Sequence, residues 1–126
     1  MKTKIGSGAI WEDTVGYSRA VKVDNLIEVA GTTAMQDGML VHPESAYLQT
    51  KLIIKIIEDA LVKLGSSLDD VVRTRIYLKN ISDWQEVGRA HGEYFGKIKP
   101  TSTMLAVTSL INPEMLVEIE ATAIIS

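Results

Sequence analysis

The sequence predicts an α+β fold, a single sheet with two helices on one face, in the order β-β-α-β-α-β-β. Three observations predict it. Residues 45–64 carry one apolar stripe at helical spacing. A second, shorter helical pattern opens at Ser82 and is closed by Gly96 and Pro100. The segments around these two alternate apolar and polar residues with a period of two.

Residues 15–33 read as a hairpin: Val21-Lys22-Val23 and Leu26-Ile27-Glu28-Val29-Ala30 alternate, and Asp24-Asn25 supplies the turn. Residues 35–43 read as loop, turning at Asp37-Gly38. In the first helix Leu48, Leu52, Ile53, Ile56, Ile57, Ala60, Leu61 and Leu64 form the apolar stripe, and Gly65 stops it. Residues 71–79 are a strand. Ser82-Asp83-Trp84-Gln85 has the spacing of a capping box and opens a helix to about Phe95, which Gly96 ends and Pro100 cannot continue. Residues 103–110 and 115–125 are two further strands joined by Asn112-Pro113. No repeat, linker or low-complexity segment divides the chain, so residues 1–126 are expected to form a single domain.

Composition narrows the function. The chain has 126 residues, 46% of them hydrophobic, enough for a packed core. Its net charge of −3 counts against a nucleic-acid partner, which normally meets a basic stripe. Without cysteine there is no disulfide, no thiol catalysis and no thiolate zinc site, and neither metal nor cofactor is expected. Met1-Lys2-Thr3-Lys4 leads into no apolar run and no stretch is long enough to span a membrane, so a cytoplasmic protein is expected.

The strands sort their side chains by parity. Val72, Thr74, Ile76 and Leu78 share one face, with Arg73, Arg75 and Tyr77 on the other; Met115, Val117, Ile119, Ala121 and Ala123 share one face, with Glu118, Glu120 and Thr122 on the other. The apolar faces are expected beneath the helices. The opposite face joins Arg73 and Arg75 to Glu118 and Glu120, with Leu116 and Ile124 beside them. It is either a solvated face whose ion pairs are worth at most about 1 kcal/mol each, or a surface where subunits pack and bury the charges in pairs.

The chain resembles the RidA/YjgF family over nearly its whole length. The matching segments are Gly16-Tyr17-Ser18-Arg19-Ala20, Asn25-Leu26-Ile27-Glu28-Val29-Ala30-Gly31, Val72-Arg73-Thr74-Arg75-Ile76-Tyr77-Leu78, Pro100-Thr101-Ser102-Thr103 and Val117-Glu118-Ile119-Glu120-Ala121. The resemblance implies a chorismate-mutase-like fold, a homotrimer with a small-molecule cleft between each pair of subunits, and a charged sheet face closed inside the trimer. It also implies hydrolysis of 2-aminoacrylate-type enamines and imines. In that scheme an arginine in a Pro-Ala-Arg-Ser segment grips the substrate carboxylate, a tyrosine and backbone groups shape the pocket, and a glutamate positions water.

Carried onto this chain, the resemblance makes Tyr17 the pocket tyrosine, Gly31 the cleft glycine and Glu120 the catalytic glutamate. Ser102 stands where the arginine belongs, Ala30 where a cleft serine belongs and Gly88 where an asparagine often lies. A serine offers one neutral hydrogen bond in place of a charged fork. Arg19, Arg89 and His91 are candidates to take over the grip, with Thr101 and Thr103 flanking Ser102. Trp11-Glu12 is expected near the cleft. A subgroup of the family shares Gly16-Tyr17-Ser18-Arg19-Ala20, Arg89-Ala90-His91-Gly92-Glu93 and a Thr/Ser-rich stretch after the proline.

Each candidate has a plainer reading. Arg19 would pair with Glu12 or Asp13 at the surface, His91 would be a packed, hydrogen-bonded residue, and Glu120 a structural partner of Arg73 or Arg75. Other chemistries fail on their own terms. His91-Gly92-Glu93 has the look of a zinc deaminase without its cysteines. His42 has no second ligand at a metal spacing. Gly6-Ser7-Gly8 lacks the rest of a phosphate loop. No nucleophile elbow is present. The expected function is a RidA-like small-molecule protein lacking the arginine-dependent 2-aminoacrylate activity. It either hydrolyses another enamine or imine or binds a metabolite without chemistry; ribonuclease or translation-inhibitor activity is disfavoured by the net charge of −3.

Overall fold

The structure is a computed structural model that describes residues Met1–Ser126. Its strands are β1 (Lys2–Ile5), β2 (Ala20–Val23), β3 (Leu26–Thr32), β4 (Met35–Gln36), β5 (Met39–Leu40), β6 (Val71–Leu78), β7 (Thr101–Ala106) and β8 (Val117–Ile124); its helices are α1 (Ala46–Lys63) and α2 (Trp84–Phe95). Six strands form one mixed sheet in the order β1-β2-β3-β8-β6-β7, and both helices pack on one face of it. The α+β fold is therefore as expected.

Ser45 caps α1 by accepting a 3.0 Å hydrogen bond from the Leu48 N–H, and Gly65 ends it at φ +81°, where a side chain would be strained. The helix buries Ile53, Ile54, Ile57, Ala60 and Leu61 against Ile27, Val29, Ile76, Leu78, Val117 and Ile119 of the sheet. β6 and β7 run parallel and α2 supplies the crossover between them, so Thr74 lies beside Ser102.

Several local expectations are corrected. β1 was not expected; it pairs with β2 and extends the sheet edge. Residues 35–43 contain a small hairpin, β4–β5, rather than loop alone. Leu48 is 42% exposed and Gln49 takes a buried place instead. Ser82 and Asp83 lie in a 3₁₀ turn before α2, which has no side-chain cap. The strand expected at 103–110 spans Thr101–Ala106. On β6 a bulge at Val72 inserts an unpaired residue, so Val71 enters the core and Val72 is 41% exposed.

Candidate functional site

The sheet face away from the helices carries the charges. Arg75 of β6 lies 3.7 Å from Glu120 of β8, and the Tyr77 hydroxyl donates to the same carboxylate oxygen at 2.9 Å. Burial, then the bond to Glu120, holds the Tyr77 phenol above its ordinary pKa. A depression of about 620 Å³ opens over this cluster, with Tyr17, Glu28, Ala30, Arg75 and Glu120 in its wall.

A second depression of about 520 Å³ adjoins it, and Tyr17 and Ala30 line both. Trp11, Val15, Met35, Ile111 and Met115 make its wall largely apolar, while Arg19, Gly31 and Glu118 bring the polar groups. A β-bulge in β3 between Val29 and Thr32 presents two carbonyls, and Arg19 clamps them: its Nη2 donates to Ala30 O at 2.7 Å and Gly31 O at 2.8 Å. Arg19 Nε is buried without a partner. Burial lowers the Arg19 pKa, against the pull of Tyr17, Glu12 and Glu118.

Glu118 extends over Gly31, close enough that a Cβ there would overlap its carboxylate. Burial pushes the Glu118 carboxyl above the ordinary carboxylate range; Arg19 pulls it down and Glu120 adds to the rise. Glu118 was not among the site residues read from sequence. The signal was its parity with Glu120, but its approach to Gly31 depends on the β3 bulge.

The family model described as endoribonuclease L-PSP matches residues 10–125. The chain belongs to the RidA/YjgF family. It is 37% identical over 120 residues to an uncharacterized protein of Streptomyces coelicolor, covering 95% of this chain and 90% of the relative. It is 31% identical over 108 residues to the 3-aminoacrylate deaminase RutC of Acinetobacter baylyi, covering 85% of each. A crystal structure of a YjgF/YER057c/UK114 family member from Mycobacterium tuberculosis superposes with a TM-score of 0.91 at 47% identity, covering 99% of this chain and 100% of that one.

In this RidA/YjgF chain the expected site residues fall into three groups. Tyr17, Arg19, Ala30, Gly31 and Glu120 line the two adjoining depressions. Arg19 does not pair with Glu12 or Asp13 at the surface; Glu12 instead accepts from the Ser7 backbone and hydroxyl. Trp11 lines the second depression, as the family comparison implied. Arg89 lies apart, bonded to Glu86 at 2.9 Å, 3.8 Å from Glu93 and stacked on the Tyr47 ring. Gly88 sits on α2 with open space where a Cβ would stand.

The third group is divided by the sheet itself. Thr101 and Thr103 pair with Arg73 and Arg75, on the face that carries Glu120, while Ser102 pairs with Thr74 and points to the side of the helices. There Thr74 Oγ1 donates to Ser102 Oγ at 2.8 Å and lies 2.9 Å from His91 Nε2. His91 stacks beside Phe95 at 4.6 Å between ring centres, and burial lowers its pKa from the ordinary 6.5. Within one chain Ser102 and Glu120 are thus on opposite sides of the sheet. Thr74, which links Ser102 to His91, was read from sequence only as a core position.

Proposed function

We propose that this RidA/YjgF protein hydrolyses the C=N bond of an enamine-derived imine other than 2-aminoacrylate, in clefts shared between copies of a homotrimer. One observation carries the reading: the two carboxylates of β8 line adjoining depressions that share Tyr17. In the reaction a water oxygen adds to the imine carbon, Glu120 taking one of its protons. The nitrogen gains a proton from Glu118, whose raised pKa suits a donor. The carbinolamine nitrogen then takes the proton held by Glu120 and leaves as ammonia, while the hydroxyl proton passes to Glu118 and a carbonyl remains. Similarity to a protein named 3-aminoacrylate deaminase supports the reaction class. Arg19 Nη2 is taken up by the Ala30 and Gly31 carbonyls and Arg89 by Glu86, which supports a substrate not held by a guanidinium fork.

The test is ammonia release from a panel of enzymatically generated imines, 2-aminoacrylate included. Acceleration of at least one imine other than 2-aminoacrylate is expected, with a loss of about 100-fold or more in Glu120→Gln. No acceleration over buffer across the panel sinks the reading. The engagement of Arg19 with backbone also favours a second reading, a metabolite-binding trimer without chemistry. A thermal-shift screen would then show saturable stabilisation by some metabolite in a protein inert toward every imine. The ribonuclease description of the family is not carried over, because a net charge of −3 supplies no basic track for RNA.

A further inference from the structure

On the helix side of the sheet, three groups stand in a line. Ser102 is exposed on β7, the outermost strand. Thr74, directly across the β6–β7 ladder, is 1% exposed, and its hydroxyl lies between Ser102 Oγ at 2.8 Å and His91 Nε2 at 2.9 Å. His91 is set by α2, whose Val87, Ala90 and Phe95 are buried in the core, and its ring packs on Phe95. A buried threonine hydroxyl thus joins a solvent-facing serine to a half-buried imidazole.

We propose that Ser102 is a second reactive centre, a nucleophile for the acyl group of small esters, with Thr74 carrying its proton to His91. Serine is a weak nucleophile until a base takes its proton. Both hydroxyls rotate, so with the His91 proton on Nδ1 the line runs from Ser102 to Thr74 to Nε2. As Ser102 Oγ bonds to the acyl carbon, its proton moves to Thr74 Oγ1 and the threonine proton moves to His91 Nε2. The acyl–oxygen bond breaks, the leaving alcohol takes the proton back along the same line, and water then releases the acid and restores the serine. Burial keeps the His91 imidazole neutral near neutral pH, the form that accepts a proton. The open edge of β7 supplies unpaired backbone N–H groups toward which a developing oxyanion can turn. Thr74 and His91 are positioning residues here; Ser102 alone touches the acyl group.

This centre uses neither carboxylate of the C=N hydrolysis proposed above, since within one chain Glu118 and Glu120 project from the opposite face. The full chain is incubated with phenylmethanesulfonyl fluoride and mapped by mass spectrometry. Attack forms an Oγ–S bond and expels fluoride, so no turnover assay is needed. Labelling at Ser102 is expected, absent in Ser102→Ala and about 100-fold slower in Thr74→Val and His91→Gln. Thr74→Ser, which keeps the bridging hydroxyl, restores a rate near that of the natural protein. Melting curves confirm that each variant is folded, and Thr74→Ser against His91→Gln decides the matter should Thr74→Val unfold. An unlabelled Ser102 in the natural protein, or labelling in folded Thr74→Val and His91→Gln as fast as in the natural protein, overturns the proposal.

Discussion

Glu118 lies over Gly31, with its Cδ 3.2 Å and its Cγ 3.5 Å from where a Cβ on Gly31 would stand. The glycine is needed for space at this point, since its backbone φ lies outside the left-handed region. Gly31→Ala forces the carboxylate to swing out of the second depression. Because the end of a side chain gives way rather than backbone, the stability loss is expected to stay near about 1 kcal/mol. The Glu118 pKa falls toward its ordinary value as the group gains water. Carboxyl titration by NMR reads this directly; an unchanged Glu118 pKa in the variant contradicts the overlap.

The same carboxyl makes folding sensitive to pH. Its pKa is higher in the folded chain than in the unfolded one, so its contribution to stability is complete below the ordinary value of 4.5 and is lost as pH rises through the raised value. Glu118→Gln removes that loss. The melting temperature of the variant should overtake that of the natural protein progressively as pH rises above the ordinary value of 4.5. Parallel melting curves over this window refute the assignment.

Arg19 holds the bulge that places Gly31. Arg19→Ala leaves two carbonyls without their charged donor, and a loss of about 2–3 kcal/mol is expected in urea unfolding. The Glu118 pKa should rise further, because Arg19 is the group that pulls it down. A lowered Glu118 pKa would show that the guanidinium does not act on it.

Gln49 ties α1 to the loop before it and to the distant segment that leads into β8. Its Nε2 donates to His42 O at 3.0 Å and Glu114 O at 2.9 Å, and its Oε1 accepts from Leu116 N at 2.9 Å. Gln49→Met keeps the shape and strands these backbone groups, at a cost of about 3 kcal/mol or more. The urea midpoint should drop with an unchanged m-value. A midpoint equal to that of the natural protein would show that water satisfies the freed groups.

Gln49 also shows why the sequence stripe on α1 was set slightly wrong. Leu48 looked like core and Gln49 like surface, yet the glutamine is buried and Leu48 is not. Its partners at 114 and 116 are local in space only. The same holds at Val72, where strict alternation fails because a bulge against β8 adds a residue. Where no bulge intervenes, as on β8, alternation placed every side chain from Val117 to Ala123 correctly.

The sequence by itself determined the α+β class, the extent of α1 with its Gly65 stop, the family, and the charged face of Glu118 and Glu120. These follow from periodicity, short-range capping and motif order, all of which act over neighbouring residues. Tertiary structure alone decided that Arg19 clamps the Ala30 and Gly31 carbonyls, that Glu118 covers Gly31, and that Ser102 turns from Glu120 toward Thr74 and His91. Those relationships depend on strand order, register and bulges, and each joins residues brought together by the sheet.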